Sequence, residues 1–457
     1  MPRSLRLLAL GLSLGGLILS SHAQTRDPAS LPLPENLFPD LKAILETAVK
    51  QSPRMVARNA ENSVAEQNRL IARAGMLPSV TASLQYNPWQ RDDRADLSAP
   101  TDTKKFYYNL SLNQPLFHWG ALRNGTRIGE LQEKIVKGQT AEAYRLLVQE
   151  IRGQYLGLVL RKMILARTKL NLDISDDQLA VAQSKYEKKV ISEGEMFMPR
   201  LSHDQAVLAT DRAADEYESA KTAFAKLTGA PRLADSQIPS EIPSVTTAPD
   251  ALASILADYT SHKELKSFSL DTLRNQIAVE ELNYKVASTR LRPKLNMILG
   301  LSQDELSYTS NIAAKYKVQS TYVGFSVYWP IFDGFATRSA VANTLTRRRQ
   351  AEQAYADASV NLSDQVRSQL KQLSFSARSL EMANRMLGSN ESYVQTRQDD
   401  VKRGLASEAQ LNGARLGYLD AQIATFNARF DYLMKTGDFL SLMLEDPALA
   451  NLSSQQP

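Results

Sequence analysis

The sequence writes one short message twice. QPLFHWGALRNG runs from Gln114 to Gly125, and WPIFDGFATRSA runs from Trp329 to Ala340, about two hundred residues later. In each copy a polar-aromatic stretch reaches a proline, Pro115 or Pro330. A β-forming pair follows, Leu116-Phe117 or Ile331-Phe332. A glycine, Gly120 or Gly334, then opens a long polar-apolar run with almost no breakers. This is a strand handing over to a helix, made twice. An internal repeat of this size constrains the fold more than any single motif, because each element in one copy should have a counterpart in the other.

The counterparts are present. Leu41 and Leu252 each begin a helical pattern that is broken near its middle, at Ser52-Pro53 and around Ser261-His262, and that ends before Pro78 or Pro293. After those prolines the apolar period falls to two. Val80, Ala82, Leu84 and Tyr86 alternate with polar neighbours, as do Tyr108, Leu110 and Leu112. In the second copy Leu295, Met297, Leu299 and Leu301 alternate, with Ile298 and Gly300 off the pattern, and so do Val323, Phe325, Val327 and Trp329. The reading is four strands of roughly ten residues, the length a tilted membrane strand requires. They fall at about 78–88, 106–116, 293–303 and 320–331. The segments between them, at 91–105 and 304–317, read as polar loops.

A soluble hairpin with one wet face would also alternate. Against it, all three tryptophans, Trp89, Trp119 and Trp329, lie at or beside strand ends, with Phe106, Tyr107, Phe117 and Phe332 nearby. Aromatic girdles at two membrane interfaces would put them there. Each strand pair is also flanked by very long helices rather than by a compact body.

Those helices run from about Ala121 to Lys188 and from about Ala336 to Lys402. At a rise of ~1.5 Å per residue each is roughly 100 Å long. Turns at Lys188–Ser192 and Arg403–Ser407 send the chain back through shorter helices, Met196 to Leu227 and Ala409 to Leu444. Such helices cannot be buried in a globule. Apolar positions such as Leu147, Ile151, Tyr155, Leu158 and Ile164 need neighbouring helices along the whole length.

The chain therefore divides into a first repeat at 24–229, a Pro- and Ser-rich linker at 230–250, a second repeat at 251–446 and a polar tail at 447–457, expected to be disordered. Residues 1–23 read as a secretory signal peptide. Arg3 and Arg6 precede an apolar core, and Ser21-His22-Ala23 offers a cleavage site. The chain has 0 Cys, which removes disulfides, thiolate metal sites and the acceptor of a lipoprotein anchor. Beyond the signal no apolar run reaches the ~20 residues of a spanning helix, so a membrane location must come from strands. Four strands cannot close a barrel alone, since single-chain outer-membrane barrels have at least about eight. The chain must oligomerise to close its sheet.

Enzyme chemistry finds no foothold. The His are His22, His118, His203 and His262, none in a metal-binding pair. There is no nucleophile elbow and no phosphate loop. The net charge of +5 is spread without a basic run, which argues against a nucleic-acid partner. No catalytic, cofactor or metal site is expected. A periplasmic coiled-coil adaptor or scaffold without a pore is the alternative; it shares the long helices but has no use for four alternating strands.

The doubled order resembles the TolC family of outer-membrane efflux proteins. The matching pieces are the Leu-rich opening at Leu41, ARAGMLPSVTASLQY, SLNQPLFHWG with its second copy SVYWPIFDG, and the Gly-Leu-Ala-Ser turn at Gly404. The resemblance implies a mainly α fold with transmembrane β: a homotrimeric, twelve-stranded outer-membrane β-barrel, four strands per chain, continuing into a long periplasmic α-helical barrel. It implies an exit duct for a tripartite efflux pump or type I secretion system, passing small molecules or polypeptides. The helical tips would meet a periplasmic adaptor and, through it, an inner-membrane pump. On this chain the tips are Lys188, Lys189, Val190, Ile191 and Ser192, and Arg403, Gly404, Leu405, Ala406 and Ser407. The family's first turn carries Gly where this chain has Lys189. The family's aperture acid finds Glu195 in the first copy and Gln410 in the second.

Overall fold

The computed structural model describes residues 32–92, 101–247, 265–310 and 312–453, with isolated positions between 253 and 259. The signal peptide, the middle of the first inter-strand loop, the break at Ser261-His262 and the last four residues lie outside the described residues.

The first copy opens with α1 (Pro34–Leu37), α2 (Pro39–Gln51) and α3 (Pro53–Ala74). Each starts with a proline at its first position, where a missing N–H costs nothing. Pro53 makes the mid-helix break, and the Ser52 hydroxyl donates to the Leu227 carbonyl at 2.8 Å across the corner. Two strands follow, β1 (Ser79–Asp92) and β2 (Thr101–Phe117). Then come the long α4 (Ala121–Glu187) and the return helix α5 (Glu193–Thr228). The second copy repeats the order with α6 (Phe268–Ala287), β3 (Lys294–Ser310), β4 (Ile312–Tyr328), α7 (Ala336–Lys402) and α8 (Glu408–Leu442). Helices α4 and α7 are each 67 residues long.

The strands form one antiparallel sheet in the order β1-β2-β3-β4. They are longer than the alternation suggests. β3 and β4 reach Ser310 and Ile312, so most of the expected loop at 304–317 is ladder, with Asp304 opposite Val318 and Ser307 opposite Lys315. A polar stretch continues a hairpin when its partner supplies the hydrogen bonds, whether or not it alternates.

The core sits midway along the helices. Tyr144, Leu147, Ile151, Tyr155 and Leu158 of α4 are buried there against Leu41 and Leu45 of α2 and Tyr432, Leu433, Phe439 and Leu440 of α8. Ile164 is 39% exposed, so the apolar stripe of α4 turns outward beyond the core. The linker is only partly irregular padding. Ile238 and Ile242 are buried in this core, and Lys162 and Arg429 hold the linker by its Asp235, Ile238 and Ile242 carbonyls.

The tail departs from expectation. Residues 447–453 form a 3-10 turn (Pro447–Leu449) and a short helix α9 (Ala450–Ser453), not a disordered end. Its anchor is Arg152 of α4, which is fully buried and ion-paired with both Glu35 and Asp446. Tyr144, its phenol pushed up to about 12 by burial, donates to the Ala448 carbonyl at 3.2 Å.

Candidate functional site

Side chains directly opposite in an antiparallel sheet project to the same face. In this register Val80 faces Leu112, Leu112 faces Leu299, and Leu299 faces Val323; Leu84 faces Tyr108, and Leu295 faces Val327. One face is therefore apolar across all four strands. The other carries Ser83 with Asn109, Thr81 with Ser111, Asn113 with Ile298, and Asn296 with Ser326. The off-pattern Gly300 lies on this polar face opposite Tyr322, whose ring occupies the space a β-carbon would take. Such a sheet can meet lipid with one surface and water with the other.

The strand-helix junctions pair differently from the sequence reading. Helix α4 starts at Ala121 and α7 at Ala336, each the sixth residue after its proline, Pro115 or Pro330. Two left-handed residues precede each start. In the first copy they are Trp119 (φ 53°) and Gly120 (φ 78°); in the second they are Gly334 (φ 63°) and Phe335 (φ 67°). Gly120 and Gly334 are thus not equivalent. Each copy has one glycine and one aromatic in a strained pair, in opposite order. An L-residue in that region costs ~1–2 kcal/mol, and packing offsets it. Trp119 meets Phe117 edge-on at 4.9 Å and Phe335 meets Phe332 at 5.5 Å. The Trp119 indole donates to the Pro293 carbonyl at 2.7 Å, and Trp329 donates to the Leu291 carbonyl at 3.1 Å. One tryptophan from each copy thus holds the same turn.

The far ends of the helices are nearly superimposable in construction. The Lys189 N–H donates to the Tyr186 carbonyl and Val190 N–H to the Lys185 carbonyl, both at 2.8 Å. In the second tip Gly404 N–H donates to Val401 at 3.0 Å and Leu405 N–H to Asp400 at 2.8 Å. Both are Schellman motifs, which require a left-handed residue. Gly404 has φ 73°, and Lys189 adopts φ 58° in its place. Ile191 and Ala406 are half-buried behind these turns. Lys188, Lys189, Ser192, Arg403 and Ser407 are exposed, and so are Val190 (68%) and Leu405 (72%).

Glu195 and Gln410, expected to line an aperture, are tied back into the tips. Each is the third residue of a capping box. The Glu195 carboxylate accepts from the Ser192 N–H at 2.7 Å and its hydroxyl at 2.9 Å. Gln410 accepts from the Ser407 N–H at 3.0 Å, and its own N–H donates to the Ser407 hydroxyl at 3.3 Å. The backbone hydrogen bond from Ser192, with that of its hydroxyl, holds the Glu195 carboxyl below the usual carboxylate range. The signal for this was present in the sequence, as Ser-x-x-Glu and Ser-x-x-Gln.

The two His among the described residues have structural partners. His118 is hydrogen-bonded to Asn296 at 2.8 Å, and His203 lies 2.9 Å from Asp176. Among the described residues no group of three or more His, Cys, Asp or Glu is placed to hold a metal ion, and no helix is long and apolar enough to cross a membrane.

A two-faced sheet set above paired helices of this length defines a class: a membrane strand set carried on an extended helical duct. The sequence agrees. It matches the outer membrane efflux protein family over residues 44–230 and 264–435, one stretch per repeat, and the chain belongs to that family. Its members are outer-membrane channels rather than enzymes, and this chain is an outer-membrane efflux channel. Solved structures share the fold at low identity. The CmeC outer membrane channel of Campylobacter jejuni aligns at TM-score 0.70 and 15% identity, over 96% of this chain and 94% of that one. The outer membrane protein VceC of Vibrio cholerae aligns at 0.66 and 14%, over 90% and 97%. The MtrE outer membrane channel of Neisseria gonorrhoeae aligns at 0.64 and 14%, over 89% and 90%. No curated relative matches the sequence.

Proposed function

We propose that three copies of this chain assemble into a closed twelve-stranded barrel above a helical tunnel, and that the tunnel tips dock on a periplasmic adaptor serving an inner-membrane pump. The carrying observation is the sheet itself. Within the described residues β1 and β4 each pair on one side only, while one whole face is apolar. An open edge cannot stand in lipid, so other copies must complete the ring. A second apolar feature supports the same assembly. Phe375, Met382, Met386 and Tyr393 of α7 are exposed at coiled-coil spacing, while Leu373 and Leu380 of the same helix are buried in the core.

The adaptor reading rests on the tips. Each presents an exposed aliphatic residue, Val190 or Leu405, ringed by Lys188, Lys189 and Arg403. Such a knob with a cationic rim suits an apolar socket with an acidic border. Glu195 and Gln410 stand one turn in, where a ring of three carboxylates from the first copy alone would mark the entrance. The duct itself calls for no catalytic group.

The test is the assembled state. Detergent-purified protein should run as a heat-modifiable trimer and give a trimer mass by light scattering. A monodisperse monomer that still conducts ions in a bilayer would overturn the assembly. An adaptor that cross-links equally to tip-deleted protein would overturn the docking.

A further inference from the structure

We propose that the periplasmic collar of the sheet is a binding surface for anionic phospholipid headgroups of the inner leaflet, with Arg292 at its centre. This rests on the outer-membrane placement of the sheet. The strand ends Ser79, Phe117, Lys294 and Tyr328 lie together at one end of the ladder, where the register pairs Ser79 with Asn113, Phe117 with Leu295 and Lys294 with Tyr328. All four passages between helix and strand therefore cross at one level, at the depth of the headgroups facing the periplasm.

Charge at that level is strongly one-sided. Arg73, Arg123, Arg127, Arg290, Arg292 and Arg338 are all exposed there, and among the described residues none is in an ion pair with a carboxylate. Across residues 73–79, 115–127, 288–295 and 328–338 the only carboxylate is Asp333. Asp333 is already occupied, accepting from the Thr337 N–H at 2.9 Å and its hydroxyl at 2.5 Å.

Arg292 is also placed. Its guanidinium stacks over the Trp119 ring at 5.0 Å, and Trp119 packs edge-on against Phe117. Phe117 stands opposite Leu295 on the apolar face, so Arg292 belongs to the lipid side, just below the last apolar row. The carbonyls on either side of it, Leu291 and Pro293, are the two taken by the tryptophan indoles. A clamped backbone and a stacked guanidinium leave the donor fork pre-oriented for a phosphate. Indole rings at headgroup depth are the usual interfacial anchors, and nearby arginines add attraction to anionic lipid. The Lys294 side chain lies with Tyr328 on the polar face and is not part of this surface.

The experiment uses the full chain reconstituted in phosphatidylcholine bilayers, with trace spin-labelled phosphatidylglycerol or spin-labelled phosphatidylcholine. Electron paramagnetic resonance reads the fraction of each label immobilised at the protein surface. The phosphatidylglycerol label should be immobilised severalfold more than the phosphatidylcholine label, and the excess should shrink as salt rises. Arg290→Gln with Arg292→Gln should remove most of the excess, while Arg292→Lys, which keeps the charge and loses the fork, should retain part of it. Equal immobilisation of the two labels by the unaltered chain would overturn the proposal, as would an excess that the double substitution leaves intact. Immobilisation of neither label would instead overturn the outer-membrane placement on which the proposal rests.

Discussion

Arg152 and Asp446, 294 residues apart in sequence, share two hydrogen bonds in the fully buried centre of the molecule: Nη1 to Oδ2 at 2.6 Å and Nη2 to Oδ1 at 2.9 Å. The remaining face of the guanidinium grips Glu35, with Nε to Oε2 at 2.9 Å. Burial opposes the arginine's charge, but Asp446 and Glu35 outweigh it and hold the guanidinium above its ordinary range. One side chain on α4 thereby fastens α1, near the start of the described residues, to the segment that follows α8.

Arg152→Met should be severely destabilising, because it leaves two buried carboxylates without their cation, Asp446 keeping only the Ala448 N–H and the Gln149 amide. Breaking one side of a buried pair costs about 3–5 kcal/mol. Urea titration of the purified protein, with limited proteolysis of residues 446–453, checks this. Loss of the tail's protection without loss of the barrel is the expected pattern, and an unfolding midpoint equal to that of the unaltered chain would show that the clamp contributes nothing.

Leu84, Leu112, Leu299 and Val327 share the apolar face in the register. Lys at any of them should cost about 2–4 kcal/mol if the site lies at the bilayer midplane. Lys at Ser83 or Ser111, on the opposite face, should be accepted and should shift ion selectivity toward anions. Folding yield into lipid vesicles and reversal potentials in planar bilayers separate the two sets. Equal effects from both faces would mean that the sheet does not stand in lipid.

Lys189 sits at φ 58° where its counterpart is Gly404. Lys189→Gly should relieve about 1 kcal/mol of backbone strain in the first tip. Gly404→Val should add at least as much to the second, with loss of both assembly and transport. Lys188→Glu with Lys189→Glu should keep the trimer level and impair transport. Adaptor cross-linking beside an efflux assay reads the difference. Full transport by the double Glu chain at normal trimer level leaves turn geometry as the tip's only contribution.

The two capping boxes should respond differently to acid. Hydrogen bonds from Ser192 depress the Glu195 carboxyl, so its contribution is present above the ordinary carboxylate range and is lost as pH falls through its lowered value. Gln410 does not titrate. Amide protection in the first turn of α5, measured against the intrinsic exchange rate at each pH, should therefore fall in acid while that of α8 does not. Glu195→Gln should make the tips behave alike; protection in α5 that stays acid-sensitive in that variant would assign the effect to another group.

How much of this could be read from the chain alone follows from the range of the interactions. Helix and strand identity, their doubled order, and the starts of α4 and α7 at Ala121 and Ala336 were legible, because period, proline and turn chemistry act over a few residues. The apolar face of the sheet was legible for the same reason, since alternation is a local property. What the tertiary structure alone decided acts over hundreds of residues. The extension of β3 and β4 through a polar stretch depends on each strand's partner. The swap of glycine and aromatic between Gly120 and Phe335 depends on what each ring packs against. Arg152 lies in the apolar run IRGQYLGLVL, where nothing local marks a partner for its charge. Only folding brings Glu35 and Asp446 to it, and a buried charge acquires its meaning from partners that no spacing in the sequence announces.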